Sequence, residues 1–236
     1  MVVSINEWVN AMRMQFEKSL STLYREMVTM SDQVEEMLEK SIDALVRKDG
    51  KSAQEIINMD DLIDQKEIEL QERCIHLITA QQPVAMDLRK ITAAIKILSN
   101  LERIADHAVN ICNITLKLQD TTYMKPLVDI PKMGKIAREM MELSIDSYVK
   151  QDIQSIELLI AKENELDRLN DTVFKDLVGF MTKDASYILQ GSYFTFIASS
   201  LERIGDHTTN IFESVYYIVK SHYKDFKALE DLYSKE

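Results

Sequence analysis

Glycine and proline are nearly absent, with five and three in 236 residues. A sheet protein threaded through tight turns needs many of both, so hairpin-linked strands are excluded as the main architecture and long helices are expected. Cysteine is scarce too. Cys74 and Cys112 stand alone, without CxxC or Cys/His spacing. That leaves no disulfide framework and no thiolate metal site, and points to reduced thiols buried in a core. No apolar run approaches the roughly 20 residues of a membrane span. The opening MVVSINEWVNAMRMQFEKSL carries charge where a signal peptide would be apolar. A soluble cytoplasmic chain is therefore expected, peripheral to a membrane only through partners. Basic residues are outnumbered 28 to 39, for a net charge of -11. Affinity for phosphate backbones comes from Lys and Arg displacing counterions, so nucleic acid is excluded as a partner, and cations or basic protein surfaces fit better.

What the chain has in abundance is helical periodicity. Leu20, Leu23, Tyr24, Met27, Met30, Val34, Met37, Leu38, Ile42 and Leu45 recur at spacings of three and four. They define one long helix ending near Lys48-Asp49-Gly50. The methionines on this stripe read as core filling. Trp8, Val9, Met12 and Phe16 form an apolar patch that fits either core or a dimer contact. Ser52 and Glu55 have the spacing of a capping box for a second helix running to about Ala80. AQQPVAMD then breaks the pattern, and Pro83 suits the first turn of a third helix reaching Leu118. QDTTYMKPLVDIPKMG, with two prolines and a glycine, is the best internal boundary.

Beyond that boundary the chain repeats itself. SIDALVRKD at 41–49 is answered by SIDSYVKQD at 144–152, and LERIADHAVNI at 101–111 by LERIGDHTTNI at 201–211. A period near 100 is a duplicated subdomain, because solenoid repeats run about 20 to 50 residues. The expected fold is all-α: two tandem, duplicated antiparallel three-helix bundles, six helices in all, over residues 1–120 and 121–236.

The repeated phrase places Glu102 with Asp106, and Glu202 with Asp206, on single helix faces four residues apart. Like charges at this spacing destabilise an isolated helix by about 0.2–0.5 kcal/mol, so a bound cation is the natural compensation. With 39 acids in 236 residues, about six such pairs arise by chance, and one alone means only a solvated face. Two further pairs change that weighting. Asp60 and Asp64 lie on the second helix, and Glu163 and Asp167 at the position shifted by 103. Folding the second helix back on the third about Pro83 brings Asp60/Asp64 level with Glu102/Asp106, each pair roughly 30 Å from the turn. The second repeat does the same about its own turn, TKDAS. Four carboxylates at one spot call for a divalent or trivalent metal. All-oxygen ligation suits Mg, Mn, Ca or Fe and admits Zn, without choosing among them. The Glu-x-x-His of di-iron bundles is missing, since Ala105 and Gly205 stand three residues after the glutamates. His107 and His207 lie about 100° round the helix from the acids and suit a structural hydrogen bond better than ligation. Arg103 and Arg203 are expected to pair with acids rather than to bind phosphate.

QQPVAMDLRKITAAIKILSNLERIADHAVNI, with the second LERIGDHTTNIFESVYYI, resembles the PhoU family of phosphate-signalling proteins. The likeness runs from about Phe16 to Tyr217. It implies two three-helix bundles, each with a pair of E(D)XXXD motifs able to hold a metal cluster: Asp60, Asp64, Glu102 and Asp106 in the first, and Glu163, Asp167, Glu202 and Asp206 in the second. It also implies a non-enzymatic, often dimeric adaptor that helps a phosphate ABC transporter report sufficiency to a sensor histidine kinase and keeps the starvation response off. Asp87-Leu88-Arg89 occurs in the first repeat only; the second reads Tyr187-Ile188-Leu189. The two bundles are thus expected to differ in metal load or in what they dock. The residues themselves leave other functions open. Eight aligned carboxylates could serve a metal hydrolase or oxidase, although no general base beyond the ligands and no nucleophile motif is present. Metal storage, or a purely structural bundle, would use the same stripes.

Overall fold

The computed structural model describes residues 5–233, with side chains from Arg13 onward. Seven α-helices and no strand occur among the described residues: α1 Ile5–Arg47, α2 Gly50–Gln81, α3 Met86–Leu118, α4 Asp129–Lys150, α5 Ile156–Lys183, α6 Ile188–Lys220 and α7 Phe226–Tyr233, with a 3-10 turn at Ala185–Tyr187 before α6. The first six form the two three-helix bundles. The short α7 was not foreseen; it docks on α5 and α6, with Leu229 fully buried. Trp8, Val9 and Met12 lie outside the residues with described side chains, while Phe16 is buried in the core. The apolar stripe of α1 is core throughout, including Met27, Met30 and Met37. Cys74 and Cys112 are free and buried, and burial pushes both thiols up to about 12, which keeps them protonated and unreactive.

The turns repeat with the sequence. Lys48 and Gln151, equivalent under the shift of 103, both adopt left-handed backbone at φ 58° and 52°. Each ends a helix, so the chain reverses without glycine. The cap of α2 differs from the sequence expectation. Asp49, not Ser52, accepts from the Lys51 and Ser52 amides at 3.1 and 3.0 Å, and the Ser52 hydroxyl donates back to Asp49 at 2.7 Å. An aspartate three residues earlier outcompetes the serine because its charged oxygen is the stronger acceptor at a helix N-terminus. Pro83 lies before the first residue of α3, in a turn where Gln82 and Ala85 both take φ 46°.

Burial sorts the helices. α2 and α5 each bury one narrow stripe of six residues and lie outermost. α3 and α6 bury far more of their circumference, because they also pack on each other. They cross antiparallel: Arg89 Nη1 reaches Ser221 Oγ at one end (2.6 Å), and Lys117 lies over the Tyr193 ring at the other. α1 and α4 do the same, joined by Arg138 Nη1 to Glu35 Oε1 at 2.9 Å, two positions 103 apart. Residues equivalent under duplication therefore meet, and the halves are related by a pseudo-two-fold axis through the α1/α4 and α3/α6 crossings.

Candidate metal centres on two helix seams

Antiparallel packing of α2 on α3, and of α5 on α6, sets the register of the carboxylates. Asp60 feels Asp64 and, from across the seam, Asp106; Glu102 feels Asp106 and, from across the seam, Glu67 and Asp64. In the second bundle Glu163 feels Asp167, Asp206 and Glu202, and Glu202 feels Asp206 and Asp167. All eight residues expected from the sequence fall into these two groups of four. Each seam lies at the edge of its bundle, where Asp60, Asp64, Glu102, Asp106, Glu163 and Glu202 are half-buried and Asp167 and Asp206 are exposed.

Burial is the largest cause of their perturbation, and like charge follows. Asp60 is pushed up to about 6, Glu102 to about 7 and Glu163 to about 8. Asp167, Glu202 and Asp206 are raised for the same reasons. Asp60 Oδ1, Asp64 Oδ1 and Glu163 Oε2 are buried without any hydrogen-bond partner. A buried, unpartnered carboxylate oxygen is costly unless a proton or a cation satisfies it. The donor set therefore fits a hard cation, although among the described residues no three His, Cys, Asp or Glu side chains converge on a common point.

Two acids escaped the sequence reading. Glu67, one turn beyond Asp64, raises Glu102 and is itself raised, with Asn170 at its counterpart. The i,i+3 spacing from Asp64 could have revealed it. Glu230 approaches the second cluster from α7 and accepts from Asn164 Nδ2 at 3.0 Å. No sequence signal announced it, because α7 lies outside the repeat.

The neighbours of the motifs divide. Arg103 pairs with Asp106 at 3.3 Å and Glu102 at 3.4 Å, as expected. Arg203 makes no ion pair among the described residues, so the expected pairing with acids fails there; it only lowers Glu202 and Asp206 through space. His107 and His207 face away from the clusters and meet at the α3/α6 crossing, their rings 5.6 Å apart. His207 Nδ1 bonds Asn100 Oδ1 at 2.9 Å, whereas His107 Nδ1 is buried and unpartnered. Burial lowers both imidazoles, His107 to about 4. Asp87 and Arg89 are both engaged within the chain, Asp87 with Arg13 at 2.7 Å and Arg89 with Ser221; Tyr187 in the second repeat packs edge-on to Phe180 instead.

Gly205 marks a close approach beside the second cluster. A Cβ there would lie 2.6 Å from Leu166 Cδ2 and 3.2 Å from Glu163 Oε2, whereas the first repeat carries Ala105. Gly205→Ala gains about 0.5–1 kcal/mol of helix propensity but incurs about 1–3 kcal/mol of overpacking. A net loss of stability is expected in urea denaturation; a gain would mean that Leu166 yields freely.

Comparison with known proteins agrees with this architecture. The PhoU domain model matches residues 27–115 and 130–215, once in each bundle. The phosphate-specific transport system accessory protein PhoU homolog of Clostridium acetobutylicum is 35% identical over 205 residues, covering 86% of this chain and 94% of that protein. The PhoU accessory protein of Escherichia coli is 29% identical over 213 residues, covering 90% of this chain and 88% of that one. Among solved structures, PhoU of Pseudomonas aeruginosa superposes with a TM-score of 0.84 at 28% identity, covering 88% of this chain and all of that one. PhoU of Streptococcus pneumoniae gives 0.82 at 26%, covering 89% and 99%.

Proposed function

The chain belongs to the PhoU family, and from that premise we propose that it is a non-catalytic cytoplasmic adaptor, which restrains phosphate uptake and the starvation response by coupling a phosphate ABC transporter to a sensor histidine kinase. One observation carries the reading: relatives named as accessory proteins of a phosphate-specific transport system align with it over nearly its whole length. A role for metal is part of the same proposal, supported by the unpartnered carboxylate oxygens on the two seams. Each seam packs the apolar stripe of an outer helix, α2 or α5, against α3 or α6, with the partly exposed carboxylates along its edge. A cation there clamps the outer helix and fixes the surface offered to partners, as a homodimer or within the transport complex. No helix among the described residues is long and apolar enough to cross a membrane, so contact with the transporter is made by surface docking.

Deleting the gene tests the adaptor. A starvation-responsive reporter in that strain, grown in ample phosphate, is expected to reach the level of the starved parent. Full repression in the deletion strain would remove the regulatory reading, and metal-dependent turnover of a phosphoester by the purified protein would replace it with an enzymatic one.

A further inference from the structure

The pseudo-two-fold axis that relates the bundles also generates two equivalent grooves beside the α3/α6 crossing, and the two have different fates. One is closed to about 30 Å³ between Thr92, Lys96, Ser214, Tyr217 and Tyr223. Its counterpart is an open cleft of about 450 Å³. Chain outside the repeat makes the difference. After α6, Tyr223 drops into the first groove, its ring 4.8 Å from Lys96 Nζ and its hydroxyl donating to Glu213, while Glu213 Oε1 also accepts the Phe226 amide at 2.6 Å.

Position by position, the open cleft keeps Arg103 as Arg203 without its ion-pair partners, carries Phe196 where the closed groove has Lys96, and gains a cation at Lys117. Arg103 is tied to Glu102 and Asp106, but its equivalent Arg203, on the cleft wall, is in no ion pair among the described residues. His207 is held by Asn100; its equivalent His107 faces Ser200, the shorter counterpart of Asn100, and its Nδ1 is left unpartnered. Glu213 on the closed side becomes Asn113 on the open side, so the carboxylate that would repel an anion is replaced by an amide. Tyr217 becomes Lys117, a second cation, lying 5.4 Å from the Tyr193 ring centroid and likewise in no ion pair. Among the described residues no Asp or Glu lines the cleft, in a chain of net charge -11.

We propose that this cleft binds a small phosphorylated molecule carrying a flat ring, of the nucleoside phosphate class. Arg203 meets the oxyanion, with Asn110 and Ser200 as neutral donors, and the ring lies toward Tyr193 and Phe196. Donors arriving from two helices suit a tetrahedral oxyanion, which offers acceptor oxygens in several directions, better than a planar carboxylate. The cleft volume falls within the roughly 300–1,000 Å³ of small-molecule sites. On the closed side the chain's own Tyr223 fills the equivalent groove beside Lys96; the open cleft has Phe196 at that position, so an incoming ring meets an aromatic face there instead of an ammonium group. The proposal is independent of the adaptor reading, because it concerns binding by the purified protein alone.

Calorimetric titration with AMP, inorganic phosphate and adenosine tests it, in metal-loaded and in chelator-treated protein. AMP is expected to bind more tightly than phosphate, and adenosine least. Arg203→Gln and Asn113→Glu should each weaken AMP by about tenfold or more, the scale of one charge-assisted hydrogen bond or one introduced like charge. Lys96→Gln, in the closed groove, should change nothing. Asn113 is exposed, so Asn113→Glu keeps the fold and serves as the second variant should Arg203→Gln disturb the adjacent Glu202. Phosphate as tight as AMP, with both lost in Asn113→Glu, still supports the oxyanion site. Absence of AMP and phosphate binding at millimolar concentration overturns the proposal. So does adenosine binding as well as AMP, or binding that vanishes with chelator and ignores both variants, which would place the anion on the metals.

Discussion

Chelator-treated protein is expected to lose stability as pH rises from 6.5 to 8.5, and to recover it when a hard cation is added. Glu163 and Glu102, raised to about 8 and about 7, bind protons in the folded state that they release in the unfolded chain. A carboxylate raised on folding contributes stability that is complete below its unfolded value near 4 and is lost as pH climbs through its folded value. The histidines act in the opposite sense at lower pH. Burial lowers His107 and His207, so the unfolded chain takes up the extra protons, and stability rises with pH up to about 6.5. The two effects oppose each other below that point; above it the carboxylates lead, and from about pH 8 the buried thiols of Cys74 and Cys112, raised to about 12, add a smaller loss of the same sign. A cation competes with the bound protons, so its effect should grow with pH. At a hundredfold excess over its dissociation constant, one site adds about 2.7 kcal/mol. In a chain of this size that is roughly 5–10 °C in melting temperature. The measurement is a thermal melt in EDTA at several pH values, repeated with Mg, Mn, Ca, Fe(II) and Zn. A melting temperature that is flat with pH and unmoved by every metal would reduce both stripes to solvated surface.

The pairing of the carboxylates across each seam was legible without coordinates, for a physical reason. An antiparallel helical hairpin has one free parameter, its register, and the turn fixes it. Once Pro83 and TKDAS were taken as turns, Asp60/Asp64 had to meet Glu102/Asp106, and Glu163/Asp167 had to meet Glu202/Asp206. The duplication was equally legible, and the left-handed residues at 48 and 151, which the sequence did not announce, follow the same shift of 103. What escaped depends on contacts between elements. Asp49 displaced Ser52 at the α2 cap because both are good capping residues three positions apart, and only the path of the turn decides between them. Arg103 and Arg203 occupy identical local sequence, LER followed by I, yet only Arg103 is paired. The groove beside Lys96 is closed because Tyr223 follows α6; among the described residues no corresponding segment closes its twin. A repeat makes the shared structure readable and conceals the places where the copies diverge.

Replacing a single cluster carboxylate is expected to change sign with metal. In EDTA at pH 8, Glu163→Gln removes a half-ionised group from a buried position beside Asp167, Asp206 and Glu202, and supplies an amide that can donate to one of them. Relief of an uncompensated buried charge stabilises the folded state, so the metal-free variant should melt above the parent. With saturating cation the order reverses. Glutamine is a poorer ligand for a hard cation than glutamate, and the second bundle should lose most of its metal-induced shift while the first keeps its own. Asp60→Asn should give the mirror result, since its Oδ1, with Asp64 Oδ1, is buried and unpartnered in the first cluster as Glu163 Oε2 is in the second. Two crossing melting curves, each affecting about half of the bound metal, would be hard to obtain from a surface effect, because a solvated acid stripe has no reason to prefer charge only when metal is present. Curves that stay parallel would show that these oxygens do not share a cation. Introducing the Glu163→Gln/Asp60→Asn double variant into the deletion strain then separates structure from signalling: if the protein accumulates normally but the reporter stays derepressed, the clamped seams form part of the docking surface, and restored repression would confine the metals to stability.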